Sequence, residues 1–374
     1  MLEFAVELFS DYTARTILLG AASLGVVSGV VGSYAVLRKQ SLVGDVMSHA
    51  ALPGIVLAFL IMGVKEQLPI FIGAALSAVL AVFLINLVTS NSRIKTDSAM
   101  GMALSVFFGL GLVLLTYAQK MPDANQAGLD KFLFGQAEAL VEKDVLVIGV
   151  TGLFALLVVG LFWKEFKLLC FDPDFGGTMS FSIKSLDLLV TAVIVSAIVI
   201  GLQTVGVVLM SSMLIAPAVA ARQWTGGMGS MVILAASIAA VSGVTGVALS
   251  AGLENVPTGP AVIVCVSVIA FFSVLFSPNG FFTLRFKDAR SRREIRKDYV
   301  LKALHDLALE HNDPGYAHSE KLLALGSEKG FNVRKSLLHL QAAGHVERAG
   351  EENWRLTPSG IRETRRLSPV GNNG

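Results

Sequence analysis

The stretch from Leu188 to Ala221, LLVTAVIVSAIVIGLQTVGVVLMSSMLIAPAVAA, runs for 34 residues without one Asp, Glu, Lys or Arg. A helix needs about 20 apolar residues to cross the hydrocarbon core of a bilayer, so this stretch is too long for one comfortable span. The segment Gly201–Gly206 offers a break near its middle, where irregular backbone could line a cavity. The stretch therefore predicts two spans, or one span followed by a partial helix.

Charge-free stretches recur along most of the chain. Others cover residues 16–37, 68–92, 98–119, 145–163, 223–253 and 255–284. Only 16% of all residues are charged, against about 25% in a typical soluble domain. Because unpaired backbone polar groups are not tolerated in hydrocarbon, such stretches must be helices. The sequence predicts an all-α polytopic membrane protein with eight or nine transmembrane helices, and it excludes a soluble protein.

The basic residues of the connecting loops predict the orientation, because cytoplasmic loops are enriched in Lys and Arg. With nine spans, an outside N terminus and an inside C terminus, the basic positions fall on one side: Arg38, Lys39, Arg93, Lys95, Lys164, Lys167, Lys184 and Arg222. The opposite loops are poor in bases. We expect a multi-pass protein of the prokaryotic inner (cytoplasmic) membrane with a cytoplasmic C-terminal region.

The C-terminal region differs in composition from the rest. Residues 1–284 carry 13 Lys and Arg against 16 Asp and Glu, whereas residues 285–374 carry 17 against 12. We therefore predict a transmembrane domain over 1–284 and a small soluble domain over 285–374. Helical patterns at 292–310, 318–329 and 332–343, a hairpin and a helix opened by Pro358 are typical of a winged helix.

Asp45 and His49 are the strongest candidates for chemistry. His49 is the only histidine before the C-terminal region, and the two positions are separated by one helical turn. Residues i and i+4 share a helix face, and carboxylate with imidazole can hold Zn²⁺, Mn²⁺ or Fe²⁺. A two-fold dimer would supply two such pairs. The alternative is that Asp45 caps the helix and His49 makes a buried hydrogen bond.

The residues around this pair resemble a known family. The run Leu37–Gly54, LRKQSLVGDVMSHAALPG, is similar to the signature of the zinc, manganese and iron permeases of ATP-driven (ABC) importers. Gly206–Arg222 and Pro257–Pro260 resemble later blocks of that family, so the resemblance covers about residues 15–284. It implies that Asp45 and His49 meet the transported metal.

The segment Phe171-Asp172-Pro173-Asp174 resembles the cytoplasmic coupling segment of the same family, with Asp174 where a Glu is usual. The resemblance implies that this segment contacts an ATPase. On its own, Asp-Pro favours the start of a short helix, and an ordinary surface turn is the alternative.

The C-terminal region is similar to the DNA-binding half of iron- and manganese-dependent repressors, through Leu337–Val346 and Trp354–Gly360. Asn332, Arg334 and Lys335 begin the helix that would read DNA or meet another anionic surface. A membrane-tethered module is an unusual promoter binder, so DNA is the less favoured partner. We favour a protein contact or a regulatory role.

The sequence thus predicts a permease subunit and not an enzyme, because it contains no phosphate-binding Gly-x4-Gly-Lys-Ser/Thr motif. The transported ion would be Mn²⁺, Zn²⁺ or Fe²⁺, with Mn²⁺ favoured and no permanently bound cofactor. The expected partners are cytoplasmic ATPase subunits, an extracytoplasmic metal-binding protein, a second identical or homologous permease subunit and membrane lipid. An ion-coupled secondary transporter and a membrane-anchored metal-responsive regulator are the alternatives.

Overall fold

The computed structural model describes residues 12–63, 67–120, 140–179, 182–253, 256–311, 313, 315–325 and 332–367. The chain divides into two compact units, Met1–Gly280 and Phe281–Gly374. This division lies slightly before the domain boundary expected at residue 284. The difference arises because one continuous helix begins at Phe281, so the apolar residues 281–284 belong to the first helix of the second unit.

The first unit is helical throughout its described part. Its helices are α1 (Tyr12–Leu37), α2 (Val43–Met62), α3 (Gln67–Asn91), α4 (Thr96–Gln119), α5 (Glu142–Leu161), α6 (Trp163–Phe171), α7 (Pro173–Thr178), α8 (Ile183–Thr204), α9 (Val207–Trp224), α10 (Met228–Gly252) and α11 (Thr258–Phe276).

Eight helices in the described residues are long and apolar enough to cross a membrane. The helix α9, with 18 residues, is apolar but lies outside that set. The predicted all-α polytopic fold with eight or nine spans is confirmed. The 34-residue stretch breaks as expected, because α8 ends at Thr204 and Gly206 adopts φ +89° before α9 begins. Glycine accepts this left-handed backbone region, which side chains rarely adopt.

Helix α1 forms the centre of the first unit, where it packs against α5, α8, α9 and α10. Its glycines allow the backbones to approach closely. A Cβ atom on Gly25 would lie 2.7 Å from the carbonyl oxygen of Ala239, and one on Gly29 would lie 2.5 Å from that of Ala235. Both acceptors are on α10. Small residues at a helix interface are the usual route to tight packing in a membrane.

The second unit contains α12 (Phe281–Glu310), β1 (His318–Ser319), α13 (Glu320–Leu325), α14 (Val333–Ala342), β2 (Val346–Arg348), β3 (Asn353–Leu356) and α15 (Pro358–Leu367). The strands form an antiparallel sheet in the order β1-β3-β2. Val300, Leu304, Leu337 and Trp354 are among the buried residues of its core.

The predicted helix over 318–329 is wrong at its start, and its part beyond residue 325 lies outside the described residues. His318 pairs with Trp354 in the sheet, and its side chain is buried. Burial, and to a lesser extent the charge of His311, lowers the pKa of His318. A neutral imidazole can therefore occupy a core position at the edge of the sheet, which the local sequence pattern does not indicate.

We predict that Gly29→Ala lowers the melting temperature of the detergent-purified protein by several degrees, because the added methyl group would overlap α10. Gly149→Ala on α5 is the matched control, since a Cβ there meets no atom within 4 Å. Its melting temperature should be unchanged or slightly raised, as alanine favours helix. Equal melting temperatures for Gly29→Ala and the unaltered protein would show that α1 and α10 are not in close contact.

Candidate functional site

Asp45 and His49 lie in the first two turns of α2. Nε2 of His49 is 3.4 Å from Oδ1 of Asp45, so the shared helix face brings the carboxylate and the imidazole into contact. A carboxylate in a first turn is also favoured by the positive end of the helix dipole. The expected geometry is present, while the role of the pair in metal binding stays a prediction.

The two side chains differ in exposure. The side chain of Asp45 is 39% exposed and that of His49 is 12% exposed. The ring of Phe108 on α4 meets the imidazole edge-on, at 4.5 Å between ring centroids. Nδ1 of His49 is buried and has no hydrogen-bond partner among the described residues. A buried, unpaired ring nitrogen is costly, and a ligand or a water molecule would remove that cost.

The helix-capping alternative for Asp45 is not what the structure shows. The residue at the N-cap of α2 is Leu42, and Asp45 occupies the first turn. Asp45 contacts His49 instead, and Ser211 of α9 lies near its carboxylate. Its environment therefore orients the carboxylate towards His49 and α9.

Ser211 is a site residue that sequence reasoning missed. It lies on α9, in the second family-like block, but nothing in the sequence indicates that it meets Asp45. A close approach of the helices produces the contact, because a Cβ on Gly44 would lie 3.1 Å from the side chain of Leu214 and 3.4 Å from Cα of Ser211. Gly44, the residue before Asp45, was the sequence feature that could have indicated a close helix contact. The sequence does not show that its neighbour is α9.

One subunit offers an incomplete metal site. Within the described residues, no three His, Cys, Asp or Glu side chains lie close enough to hold one ion. Asp45 and His49 supply two donors, whereas Zn²⁺ takes four and Mn²⁺ takes more. Among the described residues, this pair therefore cannot complete the coordination of an ion without further donors.

The segment Phe171–Asp174 forms the junction between two short helices. Asp172 ends α6 and caps α7, since its Oδ1 accepts a 3.0 Å hydrogen bond from the backbone N–H of Phe175. Pro173 is the first residue of α7, a position at which proline loses no helical hydrogen bond. The predicted Asp-Pro helix start is therefore present. Phe171 is 60% exposed.

A groove adjoins this junction. It has a volume of about 320 Å³ and is lined by Phe171, by Leu37 at the end of α1, by Arg222 near the end of α9 and by Asn279, among others. An exposed aromatic ring beside a groove with polar and basic walls is a surface suited to a protein partner.

In the second unit, Asn332, Arg334 and Lys335 lie at the start of α14 as expected. The side-chain oxygen of Asn332 accepts a 3.0 Å hydrogen bond from the backbone N–H of Lys335, so Asn332 serves as a helix cap. Arg334 and Lys335 are exposed. Because the Asn332 side chain is used as the cap, Arg334 and Lys335 are the groups available to an anionic partner. Their role stays a prediction.

The bundle of apolar helices, with a polar pair on α2, is the architecture of a polytopic membrane protein. Residues 10–277 match the ABC 3 transport family. The chain belongs to this family, and it is a permease subunit of an ABC transporter.

Several known proteins are similar to the chain. The zinc transport system membrane protein TroC of Treponema pallidum is 47% identical over 274 residues, which are 73% of this chain and 92% of that protein. The manganese transport system membrane protein MntC of Bacillus subtilis is 41% identical over 347 residues, which are 92% of this chain and 79% of that protein. The latter match is longer than the first unit, so it extends into the second.

A solved structure, that of PsaBC from Streptococcus pneumoniae in complex with Fab, matches with a TM-score of 0.67 and 29% identity. The match covers 76% of this chain and 99% of the compared chain. The similarity therefore extends over nearly the whole length of the compared chain.

Proposed function

We propose that this permease imports a divalent transition metal, and that the ion passes Asp45 and His49. The observation that carries the proposal is the 3.4 Å contact between the carboxylate and the imidazole on a membrane helix. Ionisable side chains within membrane helices are costly, and they usually mark a transport path. Family membership supports transport, and the similar proteins TroC and MntC are named for zinc and manganese.

The donor set suits an ion in transit. Carboxylate oxygen and imidazole nitrogen bind Mn²⁺, Fe²⁺ and Zn²⁺, and we favour Mn²⁺ because of the carboxylate. Mn²⁺ binds more weakly than the others to a given site, so delivery and availability must set selectivity. The two donors of one subunit are half of a four-donor set.

We propose that a second permease subunit, identical or homologous, completes the site. A two-fold axis beside α2 would place two carboxylates and two imidazoles around one ion. The 39% exposure of Asp45 supports this arrangement, because that side chain is not enclosed within its own subunit. The unpaired Nδ1 of His49 supports it as well, since a further ligand or a partner group would satisfy that atom.

The driving force would come from separate ATPase subunits on the cytoplasmic side of a bacterial inner membrane. The chain has no phosphate-binding motif of its own. We assign the ATPase contact to Phe171, Asp172, Pro173 and Asp174, because the capped junction exposes Phe171 beside the groove that Arg222 lines. An extracytoplasmic protein would deliver the ion from the other side.

For the second unit we propose a winged-helix domain in the cytoplasm that modulates transport. Its order of elements, with a three-stranded antiparallel sheet and a capped α14, supports this assignment. The exposed Arg334 and Lys335 favour an anionic surface, and a protein contact is preferred over DNA for a tethered module. The long match to MntC supports a role in the transporter, since it includes part of this unit.

We predict that Asp45→Asn and His49→Ala each reduce uptake of radiolabelled Mn²⁺ and Zn²⁺ by about 100-fold, since each removes one metal ligand. Asp97→Asn is the matched control, because Asp97 also lies in the first turn of a spanning helix and is exposed. Normal uptake of both ions by Asp45→Asn or His49→Ala, at equal amounts of inserted protein, would refute the assignment.

Replacing Phe171 and Asp174 by alanine is expected to separate ATP hydrolysis from transport, because the exposed junction would lose its contact with the ATPase. Uptake and co-purification of the ATPase subunit are the measurements. Phe154→Ala is the control, since Phe154 is an equally exposed phenylalanine on the membrane-spanning α5. Unchanged co-purification and unchanged uptake in the double variant would place the ATPase contact elsewhere.

Truncation after Gly280 is expected to leave a transporter that inserts and imports metal, with altered dependence of its activity on metal supply. The cut must fall there, because a cut at Ser291 would leave part of α12 without its core. The measurement is the rate of uptake by cells grown with low and high metal. Complete loss of uptake by a stably inserted truncation would show that the second unit is part of the translocation machinery.

A further inference from the structure

Helix α6 is fastened to the centre of the first unit by an aromatic cluster. Tyr34, near the end of α1, is almost fully buried. Its ring meets Phe166 and Trp163 of α6 edge-on, at centroid distances of 5.7 Å and 6.4 Å. Phe162 stacks on Phe166 at 5.9 Å. Edge-to-face contacts of this kind fix ring orientation, so α6 cannot shift without displacing the end of α1.

Helix α7 is fastened to the same group of helices. A Cβ on Gly176 would lie 2.8 Å from the side chain of Ile183 and 3.2 Å from that of Leu168. Gly176 therefore holds α7 against α6 on one side and against the start of α8 on the other. The junction that carries Phe171 moves together with α6, α7 and the start of α8.

Arg38, the residue that follows α1, is linked to this group of helices by an ion pair. Its side chain is only 6% exposed, and its guanidinium forms an ion pair with Asp187 of α8, which is 41% exposed. The pKa of the Cys170 thiol on α6 is raised to about 11, mainly because the thiol is buried. The positive charge of Arg38 partly opposes this rise. A buried guanidinium is costly unless it is paired, so the ion pair is a strong positional restraint.

The connection from Arg38 to α2 is short and is held by backbone hydrogen bonds. Lys39 adopts φ +58°, and the backbone N–H of Gln40 donates to the carbonyl of Ala35 over 2.9 Å, which closes the end of α1. The N–H of Val43 then donates to the carbonyl of Gln40 over 3.1 Å at the start of α2. A displacement of Arg38 is therefore passed to the first turn of α2, where Asp45 lies.

We propose that Arg38, Asp187 and Tyr34 are positioning residues that transmit movement of the α6–α7 junction to Asp45 and His49. The inference rests on the proposed function, since it presumes an ATPase at the junction and a metal ion at α2. The ion pair links Arg38 to α8, and the aromatic cluster links α1 to α6. Tyr34 lies in the last turn of α1, and Arg38 lies in the short connection between α1 and α2. Both residues are therefore close in sequence to the helix that carries Asp45 and His49.

The test uses the complete transporter, with its ATPase subunit, reconstituted in proteoliposomes and supplied with ⁵⁴Mn²⁺ or ⁶⁵Zn²⁺. The quantity measured is the number of ions imported per ATP hydrolysed. Asp187→Asn and Arg38→Gln are expected to lower this ratio by about tenfold, the size of effect that coupling residues have, while ATP hydrolysis and co-purification are retained. The charge exchange Arg38→Asp with Asp187→Arg is expected to restore part of the ratio.

Two control variants sharpen the result. Lys39→Gln removes the neighbouring positive charge, which no described ion pair uses, and should leave the ratio unchanged. Tyr34→Phe should also leave it unchanged, because the Tyr34 hydroxyl has no hydrogen-bond partner among the described residues. Tyr34→Ala, which removes the ring, should lower the ratio.

The outcomes separate the inference from the proposed function. Absence of metal import by the unaltered transporter would contradict the proposed function itself. Normal ratios in Asp187→Asn and Tyr34→Ala, in a transporter that does import metal, would overturn the inference alone. If Arg38→Gln does not assemble, Asp187→Asn decides, since the amide oxygen of the new asparagine can still accept a hydrogen bond from the Arg38 guanidinium. Equal losses of metal import and ATP hydrolysis, which would leave the ratio unchanged, would also overturn the inference.

Discussion

The close contact between α1 and α10 is the interaction on which the rest of the first unit depends. In hydrocarbon there is no water to drive helices together, so their association relies on dense packing of small residues and on satisfied backbones. Gly25 and Gly29 provide that packing, because their missing side chains admit the backbone of α10. Once α1 is fixed, Tyr34 can hold α6, and the turn after α1 sets where α2 begins. The position of Asp45 follows from that turn.

The metal site that we propose at Asp45 and His49 is shared between subunits, and in this it differs from a resident metal site within one chain. A structural zinc site has four protein donors and releases its ion reluctantly. Here one subunit presents two donors, one half-exposed and one nearly buried, and leaves a ring nitrogen unsatisfied. Ser211 lies near the carboxylate, and the ring of Phe108 packs against the imidazole. In the proposed transporter, the ion would need a second subunit to complete its set of donors.

The sequence predicted those features that depend on local composition and spacing. Charge-free stretches predicted the spans, Gly206 predicted the break between α8 and α9, and Asp172-Pro173 predicted the start of α7. It did not predict contacts between distant segments, such as Asp45 with Ser211 or Arg38 with Asp187, because nothing in the sequence states which helices are neighbours. The strand at His318 was missed for a related reason. Its two residues follow no alternating pattern, and only pairing with Trp354 makes them a strand.

Binding of the transported ion by Asp45 and His49 can be tested with a structure of the assembled transporter that contains Mn²⁺. Anomalous scattering at the manganese edge would locate the ion independently of the protein coordinates. We expect one peak beside α2, with an Asp45 oxygen and a His49 nitrogen from each of two subunits about 2.0–2.3 Å from the metal. A peak elsewhere in the membrane, with both side chains free of metal, would contradict it.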